Sequence, residues 1–359
     1  MALRRRVTIA EVAREAGVSK TTVSVVLNGS AAAVGIRPAT QAAILDTMAR
    51  LGYTPNHAAR SLRRRSTSVL TLLVQDLANP CFTDIAVAAR AAAEANGYTL
   101  NVVGAGPADA ELKALEHLRG GSSDAVIVAT GRHGERPRAI EVLLDLVRHG
   151  VPAVILLDRS PDPLVPAIRV DVEAGAHLAT SHLLGLGHRQ IAHLALQGAR
   201  PLDAEQNSQG DRYRGYRRAM EDAGHAVDPR LVIRGGDTPH GGRALLRSLF
   251  EADGPRPTAI LVYNDLMAVG VLRGLYELGL RVPDDVAVVG TDGIELGEYL
   301  NPSLTTVDHP RAELGRLAVE TVRDLLDGTR PVATERVLPT GLIVRESCGA
   351  RRAPPHVTT

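Results

Sequence analysis

From Val69 onward the chain alternates short apolar runs with stretches of helical periodicity, and this alternation restricts the possible folds more than any other feature. The runs are Val69–Val74, Leu100–Val103, Ala125–Ala129, Ala153–Leu157, Ile191–Leu196, Leu231–Ile233, Ala259–Val262 and Val286–Gly290. Helical patterns fall between them, around Ile85–Asn96, Gly175–Leu186, Arg212–Ala223, Gly242–Glu251 and Asp265–Leu278. A strand covered on both faces reads as an unbroken apolar run rather than an alternating one, and that is the mark of a parallel sheet flanked by helices. About nine such strands over roughly 280 residues fit two doubly wound domains better than one. With aromatics at 3% and no Trp, the core must be built from Ala, Val and Leu.

The first 65 residues follow a different pattern. Thr8-Ile-Ala-Glu11 is a capping box, in which the Thr hydroxyl and the Glu carboxylate satisfy backbone N–H groups reciprocally. Ile9, Val12, Ala13 and Ala16 follow at helical spacing and Gly17 ends the helix. Ser19 can cap a second helix from about Lys20 to Leu27, stopped by Asn28-Gly29. Pro38 suits the first turn of a third, with Ile44, Leu45, Met48 and Leu51 as its apolar stripe and Gly52 as its stop. Helix, Gly-containing turn, helix is the helix-turn-helix signature. A fourth segment, Pro55 to Arg63, has room for about two helical turns, too few to be stable alone.

Charge separates the same two regions. Residues 1–65 carry eleven Lys/Arg against three Asp/Glu, a net +8, while the remainder carries 30 against 37, a net −7. A basic head on an acidic body points to a polyanionic partner for the head, with a solvated basic tail as the plain alternative. No apolar run reaches the ~18 residues of a membrane span, and the N-terminus lacks the apolar region of a secretory signal. Cys81 and Cys348 fit no metal spacing and give no disulfide framework, and His188 and His193 do not cluster as ligands. A cytoplasmic protein without cofactor or metal is expected, with no membrane partner.

VTIAEVAREAGVSKTTVSVVLNG and LGYTPNHAARSLRR in the head, then DLANPCF, LLGLGHRQIAHL, ILVYNDLMAVGVL, VPDDVAVVGTDG and NPSLTTVDHP in the body, resemble the lactose-repressor (LacI) family of bacterial transcription regulators. The motifs occur in the family's order and span nearly the whole chain. The resemblance implies an α/β protein with a helix-turn-helix head, a hinge helix and a periplasmic-binding-protein-like body of two doubly wound parallel-sheet subdomains. It places the head at 1–54, the hinge at 55–65, one body subdomain at 66–170 with 310–337, the other at 171–309 with 338–350, and a disordered tail at 351–359. It further implies a homodimer on a pseudo-palindromic double-stranded DNA operator, with a small effector, most often a carbohydrate, between the subdomains.

A helix in the major groove reads base edges near its N-terminus. By resemblance Lys20 and Thr21 are the main base-contacting pair. Thr8, Ser19, Thr22, Ser24 and Asn28 complete the head's DNA-contacting set, with Thr22 and Ser24 on phosphates. Val25 stands where many members carry a base-reading Arg; it can touch a thymine methyl but makes no bidentate guanine contact. The segment between Asn28 and Thr40 is a few residues longer than usual. In the hinge, Asn56, His57 and Ala59 are contact candidates, and Leu62 is the wedge the family inserts into the minor groove.

Ligands of open α/β sheets lie beyond the carboxyl ends of strands. Asp158, Asn264 and Asp292 follow apolar runs, and Arg212 is read as opening a helix. By resemblance these four surround the effector, with Phe82 and Thr238 on the wall. Two carboxylates, an amide and a guanidinium form paired hydrogen bonds with adjacent sugar hydroxyls. A buried Asp292–Arg212 pair, a helix-end role for Asp265 and an ion pair for Arg159 are the structural alternatives. A solute-binding receptor of the same body fold is the second functional reading, disfavoured by the basic head. An enzyme is the third: the chain has no Gly-x-Gly-x-x-Gly after its first strand, no Walker loop and no nucleophile elbow.

Overall fold

The computed structural model describes residues 7–27, 34–53, 66–106, 108–130, 136–198, 200–251, 253–329 and 334–350. The chain divides into two compact units, Met1–Thr67 and Ser68–Thr359.

In the first unit, α1 (Ile9–Glu15), α2 (Lys20–Leu27) and α3 (Pro38–Leu51) follow one another. The capping box is formed: Thr8 N–H donates to Glu11 Oε2 at 2.7 Å and Glu11 N–H to Thr8 Oγ1 at 3.4 Å. Ser19 caps α2 by accepting from Thr22 N–H at 3.0 Å. Pro38 occupies the first turn of α3, and Gly52 closes that helix in the left-handed region at φ 65°. Val12, Ala13, Val23, Ile44 and Met48 form the buried core. Each lies on the face its helical spacing assigns to the interior.

The second unit contains two six-stranded sheets. The first is built from β1 (Val69–Val74), β2 (Thr99–Gly104), β3 (Ala125–Ala129), β4 (Ala153–Leu156), β5 (Ala167–Val170) and β11 (Glu335–Leu338), in the order β11-β5-β4-β3-β1-β2. All its pairings are parallel. Helices α4 (Pro80–Ala95) and α11 (Arg311–Leu326) pack one face, while α5 (Ala108–Leu118) and α6 (Pro137–Arg148) pack the other. The second sheet joins β6 (Ile191–Leu196), β7 (Val232–Gly235), β8 (Ala259–Val262), β9 (Ala287–Asp292), β10 (Thr305–Asp308) and β12 (Gly341–Ile343) in the order β12-β10-β9-β8-β6-β7. Only β12 runs antiparallel. Helices α7 (Val172–Gly185) and α8 (Ser208–Asp222) cover one face, α9 (Pro239–Glu251) and α10 (Asp265–Glu277) the other.

β3, β4, β6, β8 and β9 are buried along their whole length, as double coverage requires. Strand β1 departs from this only at half-buried Val69. The chain passes between the sheets three times: after β5, after β10 and between β11 and β12. Helix α11 therefore returns to the first sheet and lies tightly on α4. A Cβ on Gly315 would collide with the Ile85 carbonyl oxygen, so only glycine fits there.

Candidate DNA-reading helix and effector cavity

The head presents its polar groups outward. Lys20 and Thr21 are exposed at the start of α2, as are Thr8 and Ser19. Thr22 is half-buried, its hydroxyl 2.8 Å from that of Ser19. Val23 is wholly buried. Val25 is half-exposed and lies outside the head's core cluster, so its side chain is available at the surface. Ser24 departs from the phosphate-contacting reading: it is 8% exposed, because it falls on the same inward face as Val23. Asn28 and the hinge positions Asn56, His57, Ala59 and Leu62 lie outside the described residues.

In the body, one cavity is lined by side chains that follow strands of both sheets. Gln75 and Asp76 follow β1, and Asn79, Cys81 and Phe82 begin α4 on the same half. From the other half come Arg212, Asp237, Thr238, Tyr263, Asn264, Asp292 and His309. Gln75 Nε2 donates to Asp237 Oδ2 at 3.2 Å, a hydrogen bond from one half to the other. The cavity thus lies beyond the carboxyl ends of the strands, as expected of open α/β sheets.

Each polar wall residue is fixed locally. Asn79 caps α4 by accepting from Cys81 N–H at 2.9 Å. Asn264 caps α10 by accepting from Met267 N–H at 2.7 Å, and its amide donates to the Asp237 carbonyl at 3.2 Å. Arg212 lies with its guanidinium 4.4 Å over the Tyr263 ring and 3.9 Å from Asp292 Oδ1. It does not open its helix: α8 begins four residues earlier, where Asn207 accepts from Gln209 and Gly210 N–H and so draws the N-terminus upstream. Two non-glycine residues of the wall have left-handed backbone, Leu157 at φ 66° and Asp292 at φ 118°. Such strain collects where a ligand must be held. Arg311, the first residue of α11, donates to the Asp292 carbonyl oxygen and also to Asp84 Oδ2 on α4 at 3.0 Å.

Burial dominates the electrostatics. It pushes the Asp292 carboxyl up to about 7, against the opposing charges of Arg212 and Arg311. Asp265 is raised well above the usual carboxylate range, by burial and then by the neighbouring Asp292; it accepts from Thr306 Oγ1 at 2.6 Å and Ile294 N–H at 2.9 Å. Asp265 is thus the first residue of α10, as its helix-end reading expects, and also an internal anchor for the Ile294 and Thr306 segments. His309 is held neutral by burial, its pKa well below the usual histidine value.

Five of the six sequence-assigned residues meet in this cavity: Phe82, Arg212, Thr238, Asn264 and Asp292. Asp158 does not line it. Its carboxylate turns back to accept from Arg159 N–H at 2.8 Å, and Leu157 faces the cavity in its place. The reason is the left-handed backbone at Leu157, which reverses the facing that regular strand alternation gives. Arg159 forms an ion pair with Asp211 at 2.7 Å. Sequence reasoning missed Gln75, Asp76, Asn79, Asp237, Tyr263 and His309. The strand-end rule that found Asn264 would have found Asp76 after β1 and Asp237 after β7; His309 follows β10, a strand that the apolar pattern did not reveal.

An exposed helix-turn-helix head and a two-sheet body around a polar cavity together define an effector-binding DNA regulator. Residues 8–56 match the family model described as bacterial regulatory proteins, lacI family, and residues 180–348 match a periplasmic binding protein-like domain. Catabolite control protein A of Priestia megaterium is 31% identical over 314 residues, covering 87% of this chain and 90% of that protein. The ribose operon repressor of Haemophilus influenzae is 32% identical over 342 residues, covering 95% and 98%. Among solved structures, the lac repressor dimer bound to operator and the anti-inducer ONPF superposes with a TM-score of 0.80 at 28% identity, covering 96% of this chain and 99% of that one. The transcriptional regulator CelR–cellobiose complex gives 0.68 at 31%, covering 95% and 100%. The chain belongs to the lacI family of bacterial regulatory proteins.

Proposed function

We propose that this protein is a cytoplasmic, homodimeric transcriptional repressor, without enzymatic activity, whose hold on a pseudo-palindromic operator is set by a carbohydrate bound in the body cavity. The observation that carries this reading is a single cavity walled by hydrogen-bonding side chains from both halves of the body, in a chain whose head exposes Lys20 and Thr21 at a helix start. Asn264, Asp237, Asp292 and Arg212 supply paired acceptors and donors for vicinal hydroxyls, and Phe82 and Tyr263 supply apolar faces for sugar C–H groups. Relatives named as ribose operon repressors and a solved neighbour named as a cellobiose complex support a sugar.

The free volume of the cavity is ≈ 70 Å³. Sites for drug-sized ligands hold about 300–1,000 Å³, so a sugar enters only as the two halves part. An effector that prefers the parted arrangement shifts the population toward it, by no more than its differential affinity for the two arrangements. Operator affinity follows through the segment carrying Asn56, His57, Ala59 and Leu62, whose wedge and backbone contacts belong to this proposal. An effector that lowers operator affinity is an inducer; one that raises it is a co-repressor.

Thermal-shift screening of the full chain against neutral sugars and nucleosides tests the reading. A ligand at 100 times its Kd stabilises the native state by about 2.7 kcal/mol. Arg212→Ala removes the guanidinium beside Asp292, and a sugar affinity loss of about 10- to 100-fold is expected, with operator binding retained. An unchanged response in Arg212→Ala excludes this cavity as the effector site.

A further inference from the structure

Three side chains of the cavity bring three kinds of donor atom together. The Cys81 thiol lies in the first turn of α4, the Asp292 carboxylate at the end of β9, and the His309 imidazole immediately after β10. One donor atom from each lies within 4.8 Å of the other two. The residues are 3%, 6% and 3% exposed. Neither ring nitrogen of His309 has a hydrogen-bond partner. Leaving a buried polar group unsatisfied costs about 1–3 kcal/mol, and such an atom calls for a water, an ion or a role.

His309 Nδ1 stands 3.6 Å from Asp292 Oδ1. That is too long for a hydrogen bond, which needs about 2.7–3.2 Å. It matches two ligands of one ion: at bond lengths of about 2.0–2.2 Å in tetrahedral geometry, donor atoms lie roughly 3.3–3.6 Å apart.

We propose that Cys81, Asp292 and His309 bind one divalent transition-metal ion of the Zn²⁺ class, bridging the two halves of the body. A thiolate, an imidazole and a carboxylate suit Zn²⁺ and its neighbours; Ca²⁺ and Mg²⁺ require oxygen ligands. On binding, the thiol and the protonated fraction of the Asp292 carboxyl give their protons to solvent, and the thiolate sulfur and carboxylate oxygen take up the ion. Thiolate and carboxylate together balance the ion's two charges. Arg212, 3.9 Å from the same carboxylate, opposes the cation, so the affinity is lower than that of a four-ligand structural site. Three protein ligands leave a fourth position for water or a cavity ligand. Cys81 belongs to the half containing β1, whereas Asp292 and His309 belong to the half containing β9. The ion therefore holds the halves together and competes with an effector for Asp292. This inference stands apart from the carbohydrate reading, because its test reads metal and not sugar.

The test uses the untagged full chain, stripped with a chelator and titrated with Zn²⁺ by calorimetry and with Co²⁺ by absorption. One equivalent of each ion is expected, with a thiolate-to-Co²⁺ charge-transfer band. Cys81→Ser loses the band, His309→Gln binds Zn²⁺ at least ~10-fold more weakly, and Cys348→Ser keeps both. Cys348 is the necessary control, since its sulfur lies 3.3 Å from His182 Nε2. A wild-type protein with no stoichiometric ion or no charge-transfer band overturns the proposal without recourse to any variant. So does a band that survives Cys81→Ser and disappears in Cys348→Ser.

Discussion

The reading helix and the effector cavity use similar polar side chains under opposite conditions. On α2, Lys20 and Thr21 are exposed, and the hydrogen bonds around them are local ones, from Ser19 to Thr22. In the cavity, Arg212, Asn264, Asp292 and His309 are each less than 9% exposed, and Arg212, Asn264 and Asp292 each have a partner from a distant part of the chain. An exposed polar group in water has little to lose and can be assigned to recognition almost independently of stability. A buried one carries a desolvation cost that its neighbours must offset, so its binding role and its structural role are entangled.

The largest expected effect breaks the comparison at its exposed side. The double substitution Lys20→Ala, Thr21→Ala removes the two side chains proposed to touch base edges, each such contact being worth about 1–3 kcal/mol. Specific operator affinity should fall by about 30-fold or more, while the unfolding free energy of the full chain stays within the roughly ±0.5 kcal/mol of ordinary surface changes. Binding curves on operator and on unrelated DNA, run at several salt concentrations, check this. An equal loss on both DNAs would reassign the pair to phosphate contact.

The buried side should behave in reverse, and His193 shows it. This residue is 1% exposed and stacked on Tyr216 at 5.2 Å, with Tyr213 nearby. Burial, helped by the charge of Arg212, lowers its pKa to about 3. A histidine with a depressed folded pKa binds fewer protons when folded than when unfolded. Its contribution is fully present above the unfolded value of about 6.5 and is lost as pH falls from there toward about 3. At pH 5 the loss is about 2 kcal/mol, from 1.36 kcal/mol per pH unit. Denaturant titrations of wild type and His193→Gln at pH 7 and pH 5 should show a smaller pH difference in the variant. Equal differences would remove His193 as the source.

The two regions also differ in how far the sequence revealed them. The head was legible because its signals are local: Thr8 and Glu11 cap each other across three residues, and Pro38 and Gly52 bound α3. Ser24 escaped because its hydroxyl suggested a phosphate, while helical geometry turned it inward beside Val23. In the body, the apolar strands β3 and β8, and β1 and β6 with one polar residue each (Thr71 and His193), were read with their boundaries. Strands β5, β10, β11 and β12 were not: they carry Arg169, Thr305, Asp308, Glu335 and Gly341, which interrupt the apolar pattern. The cavity followed from the strand-end rule, and the misplacement of Asp158 came from one left-handed residue, Leu157, that no periodicity announces. The meeting of Cys81, Asp292 and His309 was invisible to spacing rules because the first and second stand 211 positions apart, and only the chain's crossings between sheets unite them.

The smallest expected effect sharpens the comparison, because it asks whether an exposed residue of the head can matter to folding and to reading at once. Thr8 is exposed and belongs to the DNA-facing set expected from the resemblance, yet it also closes the capping box of α1. Thr8→Ala removes the acceptor for Glu11 N–H and should cost the head about 1 kcal/mol. Thr8→Ser keeps an acceptor hydroxyl at the cap and should restore most of that loss. Backbone amide exchange in α1 measures the cap, and operator affinity measures the reading. If Thr8 acts only as a cap, α1 protection drops in Thr8→Ala and returns in Thr8→Ser, with operator affinity changing in step. If the threonine methyl touches DNA, affinity stays low in Thr8→Ser after protection has recovered. The separation of the two readouts then gives the share of this exposed residue that belongs to folding.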